Sequence, residues 1–321
     1  MASKNKTNNK KESSHVPIRV YISVIGLALF TFFTFFGLFL KDGDMGMSLI
    51  TAIIFTSVLS VALWIMTYAK RREDNDLRKW KVVEYAVLGL YIVLALLFAK
   101  PTLRFFAVNA DKENMKATAN NDISSYYRIL DKFRNDQSNA LEAHITGMHN
   151  AIGNSSSQSD EVRSFLSEKG ITSRSSISGY QEAAQEDIDD KVFRLRNGLD
   201  NCKSSIDSWK LLEIPIAVKK LKDYQNILPS ALEAFSQDNP FPLFDHRSDG
   251  KYYLGDAEEF SYPAPELYFP DMVKSATNIT IIAAIIFILL HAIILFGYYM
   301  AKRTNLADSN YVDEGGTILK F

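Results

Sequence analysis

The side chains of this chain that could do chemistry are His144 with His149, the acids Asp187, Asp189 and Asp190, the thiol of Cys202, and two ionisable groups in apolar surroundings, Glu84 and His291. Paired imidazoles bind metals, clustered carboxylates hold calcium, a thiolate attacks, and a charge inside a bilayer can relay protons. Spacing removes most of these readings. Five residues along a helix turn His149 about 140° away from His144, so the pair cannot share a metal without ligands from elsewhere. No glycine-turned oxygen loop surrounds Asp187 to Asp190, and Glu186 and Asp190 read as the solvated face opposite Ile188. Cys202 falls on an apolar helical stripe and reads as a small buried hydrophobe. No glycine-rich phosphate loop and no Ser/His/Asp layout stands out. The expectation is a protein without catalytic residues, metal or cofactor.

Glu84 and His291 lie in apolar runs, of which there are four: residues 20–40, 47–69, 82–99 and 279–300. Each approaches or exceeds the roughly 18–20 apolar residues that cross a hydrocarbon core. Backbone groups in lipid must bond among themselves, so runs of this length are read as helices. The first is too long for the apolar part of a signal peptide. No small-residue cleavage site follows Phe39-Leu40-Lys41-Asp42 at its end, so it is expected to stay in the mature protein. Glu84 stands barely one turn into the third run, close enough to the edge to snorkel to water. His291 sits deeper in the fourth, where a neutral imidazole hydrogen-bonds to a neighbouring helix. Ala52, Thr56 and Ser60 recur every fourth residue in the second run and are small enough to let another helix approach. With His291 they are the expected helix–helix packing positions.

Charge orients these spans. Lys4, Lys6, Lys10, Lys11 and Arg19 precede the first, Lys70, Arg71, Arg72, Arg78, Lys79 and Lys81 lie between the second and third, and Lys302 and Arg303 follow the fourth. Basic residues accumulate on the cytoplasmic side. Both termini are therefore expected in the cytoplasm, and the long segment between spans three and four outside it. Residues 104–272 carry 19 lysines and arginines against 27 aspartates and glutamates, a net charge of −8. Such a domain repels nucleic acid, which is excluded as a partner. One cysteine permits no internal disulfide, which fits a bacterial inner membrane better than an animal ectodomain. Asn154-Ser155-Ser156 is a glycosylation triplet of the kind chance often produces.

Helical periodicity dominates that outer segment. Tyr126, Leu130, Phe133, Leu141 and Met148 follow Ile123 at sums of threes and fours. Ile177, Tyr180, Ala184, Ile188, Val192, Leu195, Leu199, Cys202, Ile206 and Trp209 form a cleaner stripe. A third run, from Val218 to Phe235, is interrupted by Pro229, which predicts a kink or restart. Between the first two lie a flexible loop of turn formers at 153–159 and a short helix at 160–169 ended by Gly170. The first bundle helix is expected to continue out of span three, and its stripe suits self-association as well as bundle packing.

Residues 239–270 break the period. They hold five of the chain's nine prolines and eight aromatics. Asp249-Gly250 ahead of Lys251-Tyr252-Tyr253-Leu254 predicts a small hairpin, followed by an extended return to the membrane. Tyr268 and Phe269 are expected at the bundle's open end or the bilayer interface. Phe241, Phe244, Tyr252, Tyr253, Phe260 and Tyr262 are the expected partner-contact residues, because rigid aromatics on an irregular loop suit a binding surface.

The fold class is thus all-α: a four-span helical membrane protein with an extracytoplasmic helical bundle of long antiparallel, coiled-coil-like helices and a small irregular or hairpin segment. The layout runs 1–19 as a disordered cytoplasmic tail, 20–99 as three spans, 100–275 as the outer domain, 276–301 as the fourth span and 302–321 as a short cytoplasmic tail, which either is disordered or adds a strand to a partner. The expected function is a non-catalytic membrane subunit or scaffold of an envelope assembly, with the lipid bilayer, envelope proteins and a second copy of itself as partners. The alternative is a membrane sensor whose helical domain binds a ligand and signals through a separate protein. In layout alone that resembles bacterial chemoreceptor-type input domains, with no cytoplasmic signalling domain in this chain. A small transporter or channel ranks third, with little of a pathway to support it.

Overall fold

The computed structural model describes residues 18–71, 77–153, 155–277 and 280–301, with two-residue strands at 311–312 and 318–319. In chain order the helices are α1 (Ile18–Asp42), α2 (Met45–Arg71), α3 (Leu77–Leu97), α4 (Ala99–Ala110), α5 (Lys112–Ile152), α6 (Asp160–Glu168), α7 (Arg174–Asp207) and α8 (Ile214–Asp238). Strands β1 (Pro242–His246) and β2 (Tyr252–Ala257) follow, then α9 (Phe269–Ser275), α10 (Ile281–Tyr299), β3 (Tyr311–Val312) and β4 (Ile318–Leu319). The chain divides into two compact units, Met1–Ala110 with Ala276–Phe321, and Asp111–Ser275. The glycosylation triplet's Asn154, most of both tails and much of the loop between α2 and α3 lie outside the described residues.

Among the described residues of the first unit, four helices are long and apolar enough to cross a membrane: α1, α2, α10 and Lys79–Leu97 of α3. α1 is the central member, against α2, α4 and α10, with α3 on α2. Its inner face is a stripe of Ser23, Gly26, Phe30, Thr34 and Gly37, all buried. Small residues there let backbones approach, which substitutes in lipid for the hydrophobic drive available in water. Gly43 in the left-handed region (φ 69°) turns α1 into α2, and Asp44 Oδ1 caps α2 by accepting the Met47 amide at 2.9 Å. The helix expected to run straight on from span three instead stops after Leu97 and restarts as α4. Pro101, which has no N–H, sits in the first turn of α4, where a missing donor is cheapest. Residues 99–110 pack against α1, so the second unit opens at Asp111, not at residue 100. In the last segment β3 and β4 pair with each other, antiparallel.

The second unit is an up-down-up bundle. α7 runs antiparallel to α5, held along one rim by Asn120–Asp207, Tyr127–Asp200, Asp131–Arg196 and Arg134–Asp189. α8 runs parallel to α5, with the Tyr126 hydroxyl donating to the Leu221 carbonyl at 2.5 Å and Gln137 to Ser236 at 2.9 Å. The α7 stripe is buried inside this bundle at Ile177, Ile188, Val192, Leu199, Cys202 and Ile206, so it is occupied within one chain. α8 is unbroken: Pro229 lies inside one helix, and buried Leu228 and Leu232 hold the segments on either side to the core. α6 ends in a Schellman motif, with Gly170 at φ 64° and the Ile171 amide bonded back to Leu166. The hairpin β1–β2 forms antiparallel around Gly250 at φ 79°. The loop at 153–159 is stitched to that hairpin through the Ser159 amide on the Tyr252 carbonyl, 3.0 Å. Beyond β2 the chain returns along the α5 side of the bundle. Tyr262 packs edge-on to Phe133, Gln225 donates to the Pro265 carbonyl, and Asp122 receives the amides of Tyr268 and Phe269. Phe269 is therefore a core residue of the bundle; Tyr268 is exposed.

Candidate functional site

The hairpin end of the second unit brings the most chemistry together, and His144 is its centre. The imidazole is fully buried, with Nδ1 2.6 Å from the Pro242 carbonyl. A carbonyl only accepts, so Nδ1 carries the proton. Four rings from different elements surround it: Phe165 of α6, Tyr180 of α7, and Phe241 and Phe244 of the hairpin segment, at centroid distances of 5.3–6.0 Å. Burial pushes the imidazole pKa below its ordinary value, opposed by the Pro242 bond. Among the described residues Nε2 has no hydrogen-bond partner. Phe244 docks on Gly147, where an added Cβ would come within 2.6 Å of it.

The six aromatics expected at a partner surface divide. Phe241 and Tyr262 are buried core side chains, because the return segment lies in the bundle rather than standing away from it. Phe244, Tyr252, Tyr253 and Phe260 are half-buried. Tyr253 is held by Arg247 over its ring at 4.1 Å and by its hydroxyl on Asp249 at 2.7 Å, and Tyr252 packs on His246. Tyr252 and Tyr253 are thus fixed in place by neighbours within the hairpin.

Beside this hub opens a cleft of about 450 Å³ between α6, α7, the end of α8 and β2. Phe165, Tyr180, Phe235 and Phe241 face it, and Glu168, Asp187, Asp238 and Asp256 stand around it with Lys169. The three clustered aspartates of α7 separate here. Asp187 goes to the cleft, Asp189 pairs with Arg134 and Asp190 with Arg194. Arg134 holds the Asp189 carboxyl below the usual carboxylate range. Cys202, 2% exposed, has its thiol pKa pushed up by burial.

In the first unit Thr56 and His291 meet side chains of other helices. Thr56 meets Thr31 of α1, hydroxyl to hydroxyl at 2.7 Å, beside fully buried Ala52. Ser60 turns its hydroxyl back onto the Thr56 carbonyl of its own helix. His291 Nδ1 lies 2.8 Å from the Tyr91 hydroxyl, with Phe30 and Phe287 against the ring. Glu84 does not snorkel. It is 3% exposed and accepts the Tyr298 hydroxyl at 2.7 Å, because the tyrosine at the far end of α10 reaches it across the helices. Lys70 donates to the Tyr298 carbonyl and lies over the same ring, while Arg19 donates to Met300. Two cations from α1 and α2 thereby cap the carbonyl end of α10.

Periodicity alone misses Asp122 and Gln137, and spacing weighs His144 only as a metal ligand. All three occupy positions of the buried α5 face, which runs through Ala119, Ile123, Phe133, Leu141 and Met148. A polar residue standing where the stripe requires an apolar one is the signal that would have found them. Among the described residues no three His, Cys, Asp or Glu side chains converge to hold a metal. Compared with known proteins, the chain matches no family model, no curated protein and no solved structure.

Proposed function

We propose that this chain is a non-catalytic integral membrane subunit of an envelope assembly, with both terminal segments in the cytoplasm and the domain Asp111–Ser275 outside, most simply in a bacterial inner membrane. Excess lysine and arginine beside the spans on one side supports the orientation. The observation that carries the function is the half-exposed pair Tyr252 and Tyr253, held by neighbours on a short hairpin, with Phe244 on its other strand and Phe260 just beyond it. Aromatics already fixed in place lose little freedom on meeting a partner, which is why they dominate contact surfaces. The test is affinity purification from native membranes, comparing the original chain with Tyr252→Ser/Tyr253→Ser. A partner held by the original and lost by the variant supports the reading; a chain that purifies alone in both forms ends it. The cleft favours a second reading, a ligand-binding sensor, since its volume falls in the range of small-molecule sites.

A further inference from the structure

We propose that the cleft beside His144 binds a small organic cation bearing aliphatic ammonium groups. The inference deepens the ligand-binding reading and does not depend on the protein-contact reading. The cleft is lined by the aromatic residues Phe165, Tyr180, Phe235 and Phe241, drawn from three separate elements and the hairpin segment. An aromatic face carries negative potential and attracts an ammonium group within about 6 Å. Two of these rings already do so within the chain, for Lys169 lies 6.0 Å from the Phe165 centroid and Lys191 6.0 Å from that of Phe235.

Charge points the same way. Glu168, Asp187, Asp238 and Asp256 line the cleft with one lysine, Lys169, and Lys191 stands at the Phe235 ring. Lys169 reaches Glu168 at 3.9 Å, and among the described residues Asp187, Asp238 and Asp256 have no ion-pair partner. An anion would meet three unneutralised carboxylates. A neutral apolar guest would strip water from them without replacing its hydrogen bonds. An ammonium supplies charge and up to three donors to carboxylate acceptors, while its methylene chain covers the rings. More carboxylates stand here than one charge requires, so a diamine fits better than a monoamine.

Calorimetry on the full-length chain in lipid nanodiscs tests this with three four-carbon probes: putrescine, butanediol and succinate. Putrescine alone should bind, and more weakly as salt is raised. Asp187→Asn/Asp238→Asn, both at exposed positions, should weaken it about tenfold or more. Ala183→Trp fills the cleft without removing charge and should abolish binding, with circular dichroism confirming that each variant folds. Binding of butanediol or succinate instead would overturn the charge assignment while leaving a ligand cleft. Absence of binding by all three up to about 10 mM would overturn both. Putrescine binding that ignores both variants would place it elsewhere and overturn the proposal.

Discussion

The carboxylate of Asp122 lies 2.9 Å from the amide nitrogen of Phe269, 147 residues further along the chain. The same oxygen takes the Tyr268 amide at 3.0 Å, so a side chain of α5 serves as the missing N-terminal cap of α9. Burial pushes the Asp122 pKa up, and the two amide bonds hold back part of that rise.

Removing that acceptor should loosen the end of the bundle. Asp122→Ala strands two amides and is expected to cost about 2–3 kcal/mol; Asp122→Asn keeps an acceptor oxygen and should cost about 1 kcal/mol. Thermal unfolding in detergent, followed by circular dichroism, should order the midpoints original, Asn, Ala. An Ala variant as stable as the original would show the clasp to be idle.

His144 should make the domain sensitive to mild acid. Its folded pKa lies below the ordinary 6.5, so below that pH the unfolded chain takes up a proton that the folded chain refuses. Stability is complete above 6.5 and falls as the pH drops from there towards the folded value, by up to about 1.4 kcal/mol per pH unit. His144→Gln keeps a donor for the Pro242 carbonyl and cannot titrate. Its melting temperature should change less than the original's between neutral and mildly acidic pH, and parallel curves would refute the assignment.

Gly37 should tolerate no side chain. An added Cβ would stand 1.7 Å from the Pro101 carbonyl oxygen, so α4 must move for any other residue. Gly37→Ala is expected to destabilise by about 1–3 kcal/mol through overpacking. Gly89, also helical, has nothing within 4 Å of an added Cβ. Gly89→Ala should be neutral or gain up to about 1 kcal/mol from helix propensity. Fluorescence-detected size-exclusion chromatography after heating separates the two outcomes.

Glu84 and Tyr298 should be energetically coupled. A double-mutant cycle of Glu84→Gln and Tyr298→Phe is expected to return a coupling of about 1 kcal/mol or more. Additive effects would mean that the 2.7 Å contact contributes nothing of its own.

Much of this architecture is legible along the chain, and the reason is the length of its signals. A run of about 20 apolar residues has few readings other than a span, and the stripe from Ile177 to Ile206 specifies an inward helix face, six of its residues buried, while Trp209 falls beyond the end of α7 at φ 50°. The hairpin was readable from Asp249-Gly250, since a left-handed turn selects glycine. What escaped is non-local. That Glu84 faces Tyr298, that Thr31 meets Thr56, and that Gly26 and Gly37 of α1 set the closest approaches, depend on which helices become neighbours. Periodicity places a residue on a face but does not say what lies opposite. The division of the six aromatics has the same origin, because Phe241 and Tyr262 are buried only once the return segment lies along the bundle.

That return path also decides how the domain answers to force. Its entry at Asp111 and its exit at Ser275 belong to the same end of the bundle, where α5 begins and α9 is clasped by Asp122. Tension that draws these two points apart therefore peels the segment away from α5 and α8, one contact after another, as a seam opens from its end. The first stitch is the Lys222–Asp271 pair, then the two amides on Asp122, then the Gln225–Pro265 bond, then the Tyr262 ring on Phe133. His144 and the hairpin, at the far end, would yield last.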